Sequence, residues 1–286
     1  MKQRKKRIVT EEQFYTPSKV AERCVATLFK HCSVSQLDYV LEPSAGKGSF
    51  LNFLPAEKIL AIDLDPKDPR VEKCDFFDWN PPILHGPIAT VGNPPFGARA
   101  GLAVRFVERA CLFSEFVAFI LPRSFRKHTF LNRFPSEFHL REQFDCDKFE
   151  LESGEEVNVN AVFQVWKRET FPRPKIVLPA THDDFEMKHY HLSRTSPEAL
   201  AEARDKFDFA IPQVGAKFKP RDVDGIDAGS YWFVKANVPG VRERFESLDF
   251  SFLEGLNTTF MSLSKKDIVA AYIAETEVKE GCNGDF

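Results

Sequence analysis

Short apolar runs that alternate with amphipathic segments constrain the fold of this chain more than any other feature. Runs rich in β-branched, small or aromatic residues stand at Tyr39–Leu41, Ile59–Ile62, Ile88–Gly92 and Phe116–Leu121, and a further strand-like segment stands at Cys74–Phe77. Strands of this kind are buried on both faces, and their alternation with helices is typical of a parallel, doubly wound sheet. The sequence therefore predicts an α/β fold.

The helices are predicted from capping residues and from apolar residues at helical spacing. Thr16 and Pro17 form a helix start, in which a hydroxyl cap is followed by proline at the first helical position. A second helix is expected from about Arg99. The apolar faces are Val20, Cys24 and Leu28 in the first helix, and Leu102, Phe106, Ala110 and Phe113 in the second.

The pattern changes after Leu121. Phe138–Phe144 and Val157–Trp166 read as two strands around an acidic loop, Glu150–Glu156, and we expect them to form a hairpin that closes the sheet edge. Phe171–Pro174 is typical of a linker. We therefore expect a basic tail at residues 1–10, a main domain at 11–170 and a smaller α+β extension at 176–286 that serves in substrate recognition.

Composition limits the partners and the cellular location. Hydrophobic residues make up 43% of the chain and charged residues 28%, the balance of a folded globular protein. The net charge of −3 means that any binding of nucleic acid must come from local patches. The densest patch is Lys2–Arg7, where five of six residues are basic. This cluster fits a phosphate-binding arm, a nuclear import signal or a solvated tail.

No apolar stretch approaches the roughly 18 residues of a membrane span, and the basic N-terminus is not followed by the apolar core of a signal peptide. We therefore expect an intracellular protein without a membrane partner. It would lie in the nucleus if the basic cluster is an import signal, and in the cytoplasm otherwise. The six cysteines show no C-x-x-C pair and no metal-ligand spacing, so we expect reduced thiols and no bound metal.

Acidic residues and a glycine turn stand where strands of this sheet would end. Ligand sites in such sheets lie outside the carboxyl ends of the strands. The turn Glu42–Gly48 matches neither a Walker loop nor the G-x-G-x-x-G fingerprint, but Glu42 provides an acid for a positively charged ammonium group. Asp63 is placed to accept both hydroxyls of a ribose. Asp75 offers an acceptor for an adenine amino group, and the adjacent Phe76 a ring to cover its face.

The strongest local motif is Asn93-Pro94-Pro95-Phe96, directly after the strand Ile88–Gly92. The prolines fix their own φ angles and push the preceding residue into extended geometry, so the Asn93 backbone is held in place. An amide oxygen, a rigid carbonyl and an aromatic face can together accept both protons of an exocyclic amino group and stack on its ring. The alternative is an ordinary strand-to-turn connection.

Taken in order, these motifs resemble those of the S-adenosylmethionine-dependent N6-adenine methyltransferases. The resemblance covers roughly residues 14–168. It implies a Rossmann-like class I methyltransferase sheet, S-adenosyl-L-methionine as cofactor, and methyl transfer to a base flipped out of its stack. The implied cofactor-binding residues are Phe14, Tyr15, Thr16, Pro17, Glu42, Pro43, Ser44, Gly46, Gly48, Asp63, Asp75 and Phe76, and the implied catalytic residues are Asn93, Pro94, Pro95 and Phe96.

The resemblance also implies residues that hold the substrate. Val157–Phe163 resembles a later motif of that family, whose aromatic residue helps hold the flipped base, and this makes Phe163 the candidate. Arg123, Arg126 and Lys127 follow the fifth strand and are candidates for phosphate contacts; the alternative is an ordinary charged helix face.

The motif order, with the cofactor motif first, resembles that of enzymes that act on DNA. The same chemistry on ribosomal, spliceosomal or cap-adjacent RNA is the nearest alternative. Glutamine methylation of protein ranks third, and a module that binds nucleic acid without catalysis ranks fourth. The recognition part at residues 176–286 would be short for strict sequence specificity.

Overall fold

The computed structural model describes residues 14–83, 85–215, 217–256 and 261–281. The predicted basic tail, residues 1–10 with the cluster Lys2–Arg7, lies outside these ranges. The chain divides into two compact units between Ile176 and Val177. Each unit has its own hydrophobic core, so each is described by itself.

The first unit is built on one large sheet. Its strands are β1 Tyr39–Glu42, β2 Ile59–Asp63, β3 Glu72–Lys73, β4 Ile88–Gly92, β5 Phe116–Pro122, β6 Phe138–Asp145 and β9 Ala161–Arg168, and a small separate hairpin is formed by β7 Lys148–Glu150 and β8 Glu156–Asn158. The seven strands of the sheet lie in the order β3-β2-β1-β4-β5-β9-β6. All neighbours from β3 to β5 are parallel, whereas β9 runs antiparallel to both β5 and β6.

Helices cover both faces of this sheet because the central strands are apolar on both sides. Every residue of β4 and β5 is buried. Helix α1, Ser18–Phe29, packs into the core cluster on one face with Val40, and helix α2, Gly101–Ala110, packs into the cluster on the other face with Leu41. The short helix α3, His128–Leu131, follows β5. The predicted α/β fold, a doubly wound and mostly parallel sheet closed by a hairpin at one edge, is confirmed.

Some predicted boundaries were wrong. Helix α1 begins at Ser18, and the Thr16 side chain makes no cap, because the backbone of Tyr15 pairs with Glu150 and keeps the chain extended through Pro17. Helix α2 begins at Gly101, after a 3₁₀ turn.

Two predicted strands also differ from the structure. Cys74–Phe77 is not a strand, since it follows β3 as a turn in which Asp75 Oδ1 accepts the Phe77 N–H. Val157–Trp166 is divided into β8 and β9, because the backbone at Val159 and Asn160 bonds to Asp147 and Arg123 instead of to a sheet neighbour.

The second unit is a smaller α+β arrangement, as the sequence predicts. Strands β10 Phe185–His191, β11 Phe209–Pro212 and β12 Ser230–Ala236 form an antiparallel sheet in the order β10-β12-β11. Helix α4, Pro197–Lys206, packs into a core cluster with Phe233. Helices α5, Val241–Ser247, and α6, Lys265–Gly281, pack into another cluster with Val234. None of the helices in the described ranges is long and apolar enough to cross a membrane.

Candidate active site

Polar residues from three neighbouring strands meet at one edge of the large sheet. Glu42 ends β1, Asp63 ends β2, and Asn93 directly follows β4. Strand β1 lies between β2 and β4 and is parallel to both, so the carboxyl ends of all three strands lie side by side. The fold therefore brings together residues that are up to about 50 positions apart in sequence, as the sequence analysis expects.

The turn after β1 depends on two glycines in the left-handed region. Gly46 has a φ of 50° and Gly48 a φ of 73°. A Cβ added at Gly48 would lie 2.8 Å from Oδ2 of Asp68, a contact that real Cβ atoms do not make. Gly46 donates its backbone N–H to Asp63 Oδ2 at 2.8 Å. The turn is thus folded back onto the end of β2 and leaves its backbone close to the site.

Asp63 already has two partners within the protein. Its Oδ2 accepts from Gly46, and its Oδ1 accepts from the backbone N–H of Asp65 at 2.8 Å. A carboxylate can accept about four hydrogen bonds, so each oxygen of Asp63 retains a further lone pair. Asp63 therefore connects two turns at the site, in addition to the predicted role toward ribose hydroxyls.

Glu42 is a buried carboxyl group with an unsatisfied oxygen. The residue is only 2% exposed, and Oε2 has no hydrogen-bond partner in the described part of the chain. Burial, reinforced by the nearby Asp63, raises the pKa of Glu42 well above its usual value of 4.5. Gly92 at the end of β4 packs beside this side chain, since a Cβ there would lie 3.4 Å from Glu42 Cγ, an ordinary contact distance. A buried acid in this state is suited to a cationic ligand.

The segment Phe14–Pro17 lies against the glycine turn. A Cβ added at Gly46 would lie 3.7 Å from the Tyr15 ring, and Lys47 Nζ lies 3.9 Å from the centre of that ring. Burial is the main reason that the pKa of Tyr15 is raised, and the charge of Glu152 adds to it. The segment therefore forms one wall of the candidate cofactor site, beside Gly46.

Asn93 is held by the protein in one orientation. Its side-chain Nδ2 donates to the backbone carbonyl of Phe14 at 3.2 Å, and its backbone carbonyl accepts from Ser44 Oγ at 3.2 Å. Only the amino end of an amide can donate to a carbonyl, so this contact fixes which way the side chain points. Within the described ranges, Oδ1 has no protein partner and is available to accept a hydrogen bond from a ligand.

The rest of the tetrapeptide supports this arrangement. Pro94 is buried and Pro95 is exposed. Phe96 is partly buried and packs against the core cluster that also contains Phe149. Gly97, the residue after the motif, has a φ of 68°, and a Cβ there would lie 2.7 Å from Leu102 Cβ. The motif is thus followed by a turn that requires glycine.

Two aromatic residues do not lie where the resemblance places them. Phe76 is 2% exposed and packs against the rings of Phe77, Phe106 and Phe113, so its ring belongs to the core. Phe163 is fully buried in β9, where its ring centre lies 5.2 Å from that of Phe144. Phe163 is covered because it lies within β9, and Phe76, in the turn after β3, is covered by the neighbouring rings, so neither ring offers a face to a ligand in this structure.

The basic residues after β5 are engaged with carboxylates. Arg123 forms ion pairs with Asp147 and Asp145, and Arg126 pairs with Asp145 at 2.6 Å. Lys127 is half-buried at the end of the same 3₁₀ turn. The positive charge of this turn is therefore largely compensated, which limits the number of phosphates that it can bind. In the described ranges, no three His, Cys, Asp or Glu side chains are grouped as a metal site would need.

Sequence reasoning missed several residues of the site. Gly92 and Gly97 have positive φ angles, of 155° and 68°, and Leu102 also approaches Gly97 too closely for a Cβ. The role of the Phe14 carbonyl was also missed, because a backbone contact leaves no signal in a side-chain pattern. Gly97 alone had a sequence signal, as a glycine directly after the double proline.

Comparisons with known proteins find likenesses of structure only. No family model and no curated protein matches the chain. A proposed RNA methyltransferase from Pyrococcus horikoshii is 18% identical, with 59% of this chain and 94% of that chain covered and a TM-score of 0.44. A proposed class I S-adenosylmethionine-dependent methyltransferase from Listeria monocytogenes is 13% identical, covering 59% and 66%, with a TM-score of 0.40. The proposed methyltransferase YhhF from Escherichia coli is 14% identical, covering 52% and 88%, with a TM-score of 0.33. At such values these likenesses determine neither the activity nor the substrate of this chain.

Proposed function

We propose that this chain is an S-adenosylmethionine-dependent methyltransferase that acts on the N6 amino group of adenine in DNA. The observation that carries the proposal is the state of Asn93. Its amide nitrogen is held by the Phe14 carbonyl, and among the residues that the structure describes Oδ1 has no protein partner at the edge where Glu42 and Asp63 end their strands. An amide fixed in this way is a preorganised acceptor for a hydrogen bond from an amino group.

The residues at this edge fit the cofactor. The unpartnered Oε2 of Glu42 is suited to the ammonium group of the methionine part, and the second lone pairs of Asp63 are suited to ribose hydroxyls. Asp75 remains the candidate for the adenine amino group, without a stacking role for Phe76. When bound, S-adenosylmethionine supplies an electrophilic methyl group on sulfur. The glycine turn allows a ligand to approach the backbone closely.

Catalysis in this proposal rests on positioning and electrostatics. The lone pair of the adenine amino group is delocalised into its ring, so the group is a weak nucleophile. Asn93 Oδ1 and the Pro94 carbonyl would accept hydrogen bonds from its two N–H groups, which holds the nitrogen toward tetrahedral geometry and frees the lone pair to bond the methyl group. The methylated nitrogen would then release one of its protons to water. No covalent bond to the protein is needed.

The base has to leave its stack to reach this edge. Unstacking and unpairing cost a few kcal/mol, and stacking on Phe96 recovers part of this cost. Phe163 is buried, so the proposal assigns it to the core beneath the site and not to base contact. The DNA assignment is supported by the motif order of the sequence, and RNA is an outcome of the test below. Residues 176–286 are proposed to contribute to substrate recognition.

The proposal is tested by offering one labelled cofactor to several substrates in parallel. The purified chain is incubated with methyl-labelled S-adenosylmethionine and with duplex DNA, single-stranded DNA, structured RNA or a protein extract. The products are digested and analysed by mass spectrometry. The expected product is N6-methyldeoxyadenosine. N6-methyladenosine from RNA alone would overturn the DNA assignment, and methylglutamine from protein would overturn the adenine assignment as well.

A further inference from the structure

The orientation of Asn93 depends on a part of the chain far from its own motif. The carbonyl that accepts from Nδ2 belongs to Phe14, which is 79 positions away. Rotation of the amide by 180° would direct the amino group toward the site and remove the acceptor that the proposed reaction needs. Whatever fixes the Phe14 carbonyl therefore also determines which end of the amide faces the substrate.

The small hairpin of β7 and β8 fixes this carbonyl. Tyr15 and Glu150 exchange two backbone hydrogen bonds, of 2.8 and 2.9 Å, and form an antiparallel bridge. The ring of Phe14 packs against Phe149, with the ring centres 6.3 Å apart. Both the main chain and the side chain of the Phe14–Tyr15 segment are thus held by two consecutive residues of β7.

Phe149 is the rigid member of this pair of rings. It is fully buried, whereas Phe14 is only partly buried and packs onto the cluster that Phe149 belongs to. Phe149 is paired with Val157 across the hairpin, and the backbone N–H of Val159 donates to Asp147 at 2.8 Å. Phe96 of the Asn-Pro-Pro-Phe motif packs on the same cluster. Phe149 is therefore connected, through its contact with Phe14, to the carbonyl that holds Asn93.

We infer that Phe149 is a positioning residue, which sets the orientation of the Asn93 amide through Phe14. This inference rests on the proposed function only in so far as Asn93 acts on the amino group that receives the methyl group. Phe149 touches neither ligand in this account. Its effect is the placement of one acceptor, and catalysis is sensitive to misplacement of such groups by as little as about 1 Å.

Leu at position 149 keeps an apolar side chain but removes the flat ring that Phe14 packs against. The matched control is Phe138→Leu. Phe138 is equally buried, and it is the first residue of β6. It therefore lies near the amino ends of the parallel strands, away from the carboxyl ends of β1 and β4. Both variants lose a similar core volume, so a purely structural role predicts equal effects. Phe149→Met is the second variant if Phe149→Leu does not fold.

The first readout is the side-chain amide resonance of Asn93 in the ligand-free chain, identified by its loss in Asn93→Ala. We expect Phe149→Leu to shift this resonance toward that of a solvated amide and Phe138→Leu to leave it in place. The second readout is turnover. We expect kcat to fall at least about tenfold in Phe149→Leu and less than twofold in Phe138→Leu.

Equal effects of the two variants on both readouts would overturn the inference. Asn93→Asp provides a further check, because its carboxylate cannot donate to the Phe14 carbonyl. In that background, Phe149→Leu should have no additional effect on kcat, and a full additional effect would also overturn the inference. A wild-type chain that transfers no methyl group would instead refute the proposed function, and the resonance would still decide the role of Phe149.

Discussion

Replacing Glu42 by Gln should stabilise the ligand-free chain and weaken cofactor binding, and both effects have the same cause. Glu42 is buried with an unpartnered Oε2, and burial together with Asp63 raises its pKa. In the unfolded chain the same carboxyl group ionises near its usual value of 4.5. Gln has a similar shape and no charge, so it removes the titration and keeps the volume.

The size of the stability effect follows from linkage. The raised pKa of Glu42 means that the folded chain binds its proton more tightly than the unfolded chain does. The resulting contribution to the free energy of unfolding is complete below pH 4.5 and is lost as the pH rises toward the folded-state pKa. Within that window, the wild type loses about 1.4 kcal/mol per pH unit relative to Gln. Each pH unit within that window corresponds to about 3–6 °C in Tm.

Cofactor binding should change in the opposite direction. The ammonium group favours the ionised form of Glu42, so the affinity of the wild type should rise with pH through the same window, with release of a proton on binding. Loss of a charge-assisted hydrogen bond of about 1.5–3 kcal/mol should weaken binding about 10- to 150-fold in Glu42→Gln at pH 8.

Thermal unfolding of both proteins from pH 5 to pH 8, and calorimetry with S-adenosylmethionine in two buffers of different ionisation enthalpy, measure these effects. We expect the Tm difference between Glu42→Gln and the wild type to grow with pH, and proton release to vanish in the variant. Parallel Tm curves, together with equal cofactor affinities, would refute the assignment of Glu42 as the buried acid that meets the ammonium group.

Three further predictions concern the same edge of the sheet. Gly48→Ala should destabilise the chain by about 1–2 kcal/mol or more, because the φ of this residue is 73° and the new Cβ would meet the carboxylate of Asp68. Gly101→Ala is the control, since a Cβ at that position would have no neighbouring atom within 4 Å, and thermal unfolding should show no comparable loss of stability. Asp63→Ala should raise the Kd for the cofactor at least about tenfold in calorimetry. It should also lower the Tm, because the Gly46 N–H loses its acceptor. An unchanged Kd in a folded variant would remove Asp63 from the site. The logarithm of the DNA association constant should fall with the logarithm of the salt concentration, with a slope of about −0.9 for each phosphate neutralised. We expect a slope near −3 or shallower, because Arg123 and Arg126 after β5 are paired with carboxylates, and a slope as steep as −6 would contradict this expectation. Deletion of residues 1–7 should weaken binding to all DNA sequences alike.

The fold could be predicted from the sequence because its central strands leave little choice. β4 and β5 are buried throughout, and continuous apolar runs of that length between helical patterns fit only a covered, mostly parallel sheet. The start of α1 could not be predicted, since the bridge between Tyr15 and Glu150 keeps Pro17 extended. That contact joins segments that are 135 positions apart and has no local signal.

The site was predictable where polar residues end strands and unpredictable where packing decides. Glu42, Asp63 and Asn93 could be singled out as candidates from the sequence, because an acid or amide at the end of a buried strand is unusual. Phe76 and Phe163 stand beside motifs in the sequence, but an aromatic residue at such a position is indistinguishable from a core residue until its neighbours are known. The structure buries both.

The orienting contact between Phe14 and Asn93 was unpredictable for a different reason. It uses a backbone carbonyl, which every residue has. No side-chain pattern could therefore mark Phe14 as the partner of Asn93, and only the folded chain brings the two together.

The most direct test of the central claim is the rate of methyl transfer to an adenine-containing DNA oligonucleotide by the wild type, Asn93→Ala and Asn80→Ala, each saturated with labelled S-adenosylmethionine. Asn80 is an exposed residue after the Asp75–Trp79 turn and serves as the matched control. We expect Asn93→Ala to bind the cofactor within about twofold of the wild type but to transfer methyl groups about 10²–10³ times more slowly, and Asn80→Ala to behave as the wild type. A wild-type rate in Asn93→Ala would contradict the proposed role of the Asn93 amide.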